Sequence, residues 1–181
     1  MSGALALAAL AVAIYAVFIY NGFVRDRNRV LSAWSDIDVQ LKRRHDLLPK
    51  LVEAVRRYAQ YERATLESIA QLRARSEQAH EVSEIGALEG ALGAGLRRLF
   101  ALVEDYPELK ADAGFLDLQR NVTEVEEHIQ FARRYYNGAV RALNTRVDSF
   151  PDLLIARLFA FAAAQYFELE DPAHASVPEA I

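Results

Sequence analysis

From Gly3 to Tyr20 the chain reads GALALAALAVAIYAVFIY, without a charged side chain or a proline. A helix of that length rises about 27 Å, close to the hydrocarbon thickness of a bilayer. Arg25, Arg27 and Arg29 follow at once, whereas no Lys or Arg precedes the run. This asymmetry predicts an uncleaved, single-pass anchor with a short N-terminus outside and everything after Arg25 in the cytoplasm. The three arginines then meet anionic headgroups. A cleaved secretory signal is the competing reading, since Ala8-Ala9-Leu10-Ala11 has the look of a small-residue cleavage site. It lacks a basic n-region, however, and cleavage there would leave apolar Val12 to Tyr20 on the mature chain. A buried core helix fits less well, because the run is apolar on every face.

Roughly 150 residues remain, enough for one domain with its own core. The expected division is 1–24 anchor, 25–170 helical domain and 171–181 a fraying tail that carries Pro172 and Pro178. Net charge is −4, with 21 basic and 25 acidic residues mixed along the chain. No basic stripe extends beyond Lys42-Arg43-Arg44, so a nucleic-acid partner is not expected. The absence of cysteine removes disulfides, thiol catalysis and cysteine metal sites together, and fits a cytoplasmic domain.

The pattern is all-α. Trp34, Leu41, Leu48, Val55, Glu62 and Ile69 are seven apart, a coiled-coil-like phase that survives Pro49. This favours a long helix kinked near Pro49 over a tight reversal with Asp46 ending one helix and Pro49 opening the next. A break near Ala79 to Ser83 precedes a glycine-rich helix from about Glu84 to Glu104. Tyr106-Pro107-Glu108 interrupts again, and a long helix follows from about Phe115 to Val147. Its apolar face runs Phe115, Leu118, Val122, Val125, Ile129, Tyr136, Val140 and Leu143. A last helix, about Asp152 to Glu168, is apolar nearly all round. Bundle core, subunit interface and lipid surface are its three possible fates.

Recognisable chemistry is sparse. A carboxylate-bridged metal pair needs Glu-x-x-His on two helices, and only His80, after Glu77, meets that spacing. Glu124 and His128 read as a surface i, i+4 pair. No phosphate loop or nucleophile motif occurs. No catalytic, metal or cofactor residue is therefore nominated. Two polar clusters stand out, one from Asp36 to Asp46 and one formed by Glu124, Glu126, Glu127, Arg133 and Arg134. Most of these groups read as a solvated face. A minority, Asp38, Arg43, Arg44, Glu126 and Arg133, are candidates for an interhelical network that fixes register. Trp34, Phe159, Phe161 and Phe167 are the candidate interface residues.

Tyr20-Asn21, Arg27-Asn28-Arg29-Val30, Ala33-Trp34-Ser35, Ile37-Asp38-Val39-Gln40-Leu41-Lys42-Arg43-Arg44 and Asp46-Leu47-Leu48-Pro49 together resemble the signature of the LemA family. Tyr106-Pro107-Glu108-Leu109-Lys110-Ala111, Ala132-Arg133, Tyr136-Asn137, Phe150-Pro151 and Tyr166-Phe167-Glu168 extend the resemblance to the end of the helical part. Lys50, and Ala142-Leu143-Asn144, depart modestly from the family pattern. The resemblance implies a bacterial inner-membrane protein whose anchor continues into an antiparallel four-helix-type bundle. It carries no established enzymatic activity and a loose association with membrane organisation and stress.

The leading expectation is a membrane-anchored scaffold that assembles with copies of itself, since anchoring raises effective concentration. An adaptor or accessory subunit of a membrane enzyme such as a protease is the alternative. An enzyme using the clustered carboxylates with His45 or His128 ranks third.

Overall fold

The computed structural model describes residues 2–169. Every regular element among them is helical: α1 (Ser2–Arg56), a 3-10 turn (Gln60–Glu62), α2 (Arg63–Gln78), α3 (Val82–Val103), α4 (Pro107–Lys110), α5 (Ala113–Asp148) and α6 (Asp152–Leu158). The expected tail, 171–181, lies outside the described residues. By contact the chain divides into two compact units, and the boundary falls inside both α1 and α5.

The first unit comprises 1–37 and 132–166. The early part of α1 is long and apolar enough to cross a membrane, and only 6% of that window is buried. Burial begins at its end, with Ile19, Phe23 and Val30. Gly22 leaves room for Arg146, which crosses it to reach Asp26 at 3.2 Å and Asp152 at 3.4 Å. A side chain at position 22 would run into the Arg146 guanidinium.

The last helix is shorter than its composition predicts. It stops at Leu158, and no helix extends over 159–168. Ala160 adopts φ 55°, and the Phe161 N–H bonds to the Ala156 carbonyl at 2.9 Å, which makes a Schellman cap without its usual glycine. The segment that follows is held by side chains instead of by a helix ladder. Asn144 accepts from Ala164 N–H at 2.8 Å and donates to the Ala164 carbonyl at 3.0 Å, while the Tyr136 hydroxyl donates to Gln165 O at 2.8 Å. The apolar residues 159 and 161 gather on the end of α1's exposed run. Phe161 stacks on Phe23 at 4.8 Å, and Phe159 meets Tyr20 edge-on at 4.9 Å.

The second unit comprises 38–131 and, among the described residues, 167–169. Leu48, Leu51, Val55, Leu66, Ile69, Leu92, Leu96, Leu99, Phe115 and Val122 form its core. Asp112 opens α5 by accepting the Phe115 N–H at 2.8 Å, an N-cap three residues back. The backbone at Glu168 passes close to Gly86, where an added Cβ would run into the Glu168 carbonyl oxygen.

Helix α1 runs through Pro49 without a reversal. Proline has no N–H for the carbonyl four residues back, here that of His45. The Arg73 Nε donates to that carbonyl at 2.9 Å, so the gap in the helix ladder is filled from α2. Because Arg73 reaches back 28 positions, α2 runs alongside α1 in the opposite sense. The reversal is at 57–62, not at Pro49. The heptad phase through Glu62 to Ile69 spans it by coincidence of length, since a short helical hairpin can return the chain in phase.

Candidate functional site

Three helices of the second unit each place a polar side chain where heptad spacing calls for an apolar one, and a fourth adds a carboxylate beside its apolar row. On α1 the core positions Ile37, Leu41, Leu48, Leu51 and Val55 are interrupted by Arg44, with His45 beside it. On α3 the row Leu92, Leu96, Leu99 and Val103 is preceded by Glu89. On α2 the row Leu66, Ile69 ends at Ser76. Helix α5 supplies Glu126 between Val125 and Ile129. These groups meet in one layer.

Arg44 is its centre, with a side chain 1% exposed. Its Nη1 donates to Glu89 Oε2 at 2.7 Å and to the Glu89 backbone carbonyl at 3.2 Å. Its Nη2 lies 2.7 Å from Glu126 Oε1, a close charge contact without hydrogen-bond alignment. The other Glu89 oxygen, Oε1, accepts from Ser76 Oγ and faces His45 Nε2 at 2.7 Å. An ionised carboxylate only accepts, so that ring nitrogen carries the proton. Around the edge, Arg73 Nη2 pairs with Glu77 Oε1 at 2.8 Å. Gly93 leaves room for the guanidinium, since an added Cβ there would lie 3.2 Å from Arg44 Nη2.

The two carboxylates are tuned in opposite directions. Burial pushes the Glu89 carboxyl up, but the His45 hydrogen bond, the Arg44 charge and the Ser76 hydroxyl together bring it below its ordinary value. Glu126 is raised: burial outweighs the pull of Arg44, and the negative charge of Glu89 adds to the rise. Glu89 is saturated by its donors, so its chemistry is structural. Glu126, with a side chain 32% exposed, is the point where the layer meets solvent. Among the described residues no group of three or more His, Asp and Glu side chains could hold a metal ion.

Of the residues nominated from sequence for the network, Arg44 and Glu126 meet here. Arg43 lies 3.6 Å from Glu124 in an exposed pair, and Asp38 binds Lys42 at 2.7 Å on the surface. Arg133 is half-buried in the first unit. Glu89, Ser76 and Gly93 escaped the sequence reading. Their signal was present in the row Ile85, Glu89, Leu92, Leu96, where a lone acid occupies a core position in a glycine-rich stretch.

The nominated interface residues separate. Phe167 is fully buried, which removes it from any outward-facing set. Trp34 is half-buried and meets Tyr136 edge-on at 5.5 Å. Phe161 is half-buried, while Phe159 remains 53% exposed. Arg25, Arg27 and Arg29 are exposed just past the apolar run, with the Arg27 guanidinium 5.9 Å from the Phe161 ring centroid.

These features define a protein that is all-helical over its described residues, with an exposed apolar N-terminal segment and a buried layer of paired charges. The chain belongs to the LemA family, which it matches over residues 33–180. It is similar to the magnetosome proteins MamQ 1 and MamQ 2 of Paramagnetospirillum magneticum, each 26% identical over 193 residues, covering 92% of this chain and 71% of the relative. It is also similar to the protein LemA of Metamycoplasma hominis, 27% identical over 168 residues, covering 84% of this chain and 74% of the relative.

Proposed function

We propose that this protein is a membrane-anchored helical scaffold that assembles with copies of itself at the bacterial inner membrane and contributes to membrane organisation or stress response. The observation that carries this reading is the pairing of an apolar segment of spanning length, almost wholly exposed, with a domain whose buried charges are spent on one another. Such a layer suits a rigid support: it adds little net stability over apolar packing, but an out-of-register arrangement would strand a charge at a cost of about 3–5 kcal/mol. In this reading the helices form an antiparallel four-helix-type bundle on the cytoplasmic side, below a single-pass anchor with its N-terminus outside. Confinement to two dimensions raises effective concentration, so modest contacts suffice for assembly.

An adaptor role is the second reading. A cavity of about 620 Å³ lies in the second unit where α1 gives way to α2, lined by Arg56, Ala59, Tyr61, Arg63, Leu66 and Glu67. Tyr61 is 95% exposed there, and arginine beside tyrosine is the composition of a protein-binding hot spot. The mass of the full-length chain in lipid nanodiscs separates the two readings. A discrete multiple of the 20.3 kDa chain supports self-assembly. A monomer that co-purifies stoichiometrically with a different membrane protein transfers the case to the adaptor.

A further inference from the structure

Among the described residues the outer face of α6 has no partner. Leu154 and Leu158, four residues apart on that helix, are 55% and 73% exposed, and Phe150 just before it is 78% exposed. Phe159 adds a ring 53% exposed. The opposite face is already used, since Ala156 is buried and Leu153 and Ile155 are half-buried. A patch of this kind marks an interaction surface.

Its position identifies the occupant. Phe159 lies against Tyr20, the last residue of the exposed apolar run, at 4.9 Å, and Phe161 meets the same ring at 5.5 Å. The patch therefore continues the surface that faces lipid. Exposed Arg25, Arg27 and Arg157 accompany the aromatic rings, the residue types that gather at the boundary between headgroups and acyl chains.

We propose that Leu154, Leu158 and Phe159 form a second membrane contact, an interfacial foot that seats in the headgroup–acyl boundary of the leaflet next to the anchor's exit. It rests on the reading of α1 as a bilayer anchor. The foot fixes the tilt and rotation of the first unit at the membrane, which a single helix alone leaves free.

The native chain has no cysteine, so single labels can be placed in the full-length protein without removing any residue of that type. Val12→Cys, Leu158→Cys and Tyr61→Cys variants carrying a nitroxide are reconstituted into vesicles of phosphatidylcholine and phosphatidylglycerol. Collision with oxygen, which partitions into lipid, is compared with collision with a water-soluble nickel chelate. The foot predicts that labels at 12 and 158 both favour oxygen severalfold over the label at 61. A label at 158 that behaves like the one at 61, while 12 remains in lipid, overturns the foot and leaves the anchor standing. A label at 158 shielded from both reagents means that protein covers the patch, and also overturns it. Nickel access at 12 overturns the anchor and the foot together.

Discussion

Arg73 donates to the backbone carbonyl of His45 at 2.9 Å, the acceptor that Pro49 has no N–H to reach. This bond explains how a proline sits inside a 55-residue helix, and it ties α2 to α1 beside the charge layer. Arg73→Met leaves that carbonyl unpaired and costs about 1–3 kcal/mol. Pro49→Ala supplies the missing donor, so the same Arg73 change costs clearly less in that background. Urea unfolding in mild detergent, followed by circular dichroism, measures the coupling. Equal costs in both backgrounds would show that the arginine does not substitute for the missing helix bond.

Removing one partner of the Arg44–Glu89 pair strands the other in a site 1% exposed or less. Arg44→Met is expected to destabilise the protein by about 3–5 kcal/mol. Adding Glu89→Gln removes the stranded charge and recovers a substantial part of that loss. The same unfolding assay reads both variants, and a double variant no better than the single one refutes the pairing.

Acidity acts on the layer in two windows. Glu89 titrates below the ordinary glutamate value of 4.5, so its stabilisation is complete above that pH and disappears as pH falls through its lowered pKa. Glu126 titrates above 4.5, so its folded carboxylate carries a penalty at neutral pH that acidification toward 4.5 relieves. Stability is therefore expected to rise on mild acidification and fall in stronger acid, as far as these two groups govern it. Glu126→Gln flattens the first limb and Glu89→Gln the second, read from unfolding midpoints across pH. An upper limb that persists unchanged in Glu126→Gln contradicts the assignment.

Two glycines in helices respond oppositely to alanine. At Gly138 nothing lies within 4 Å of an added Cβ, so Gly138→Ala should stabilise by about 0.5–1 kcal/mol through helix propensity. At Gly86 the added atom meets backbone, the Glu168 carbonyl, and Gly86→Ala should cost about 1–3 kcal/mol net while loosening the C-terminal segment. Hydrogen exchange at residues 164–168 detects that loosening.

The helical class, the apolar run and the long α5 were legible in the sequence because each rests on many residues repeating one period. Individual ends were less so. The stop at Leu158 depends on alanine taking a left-handed conformation that sequence rules reserve for glycine, and on Asn144 and Tyr136 binding the backbone beyond it. The turn at 57–62 was hidden because the chain resumes in phase. Arg44 with Glu126 was within reach of charge pairing across helices. Glu89 belongs to no charge cluster, and its isolation in an apolar row is its only mark in the sequence.

An anchored scaffold requires the N-terminal segment to lie in lipid. Flotation of the full-length chain with phosphatidylcholine–phosphatidylglycerol vesicles after an alkaline wash tests it. The protein should rise with the vesicles and stay there. Recovery in the aqueous fraction after the wash would contradict the anchor, and with it the scaffold built upon it.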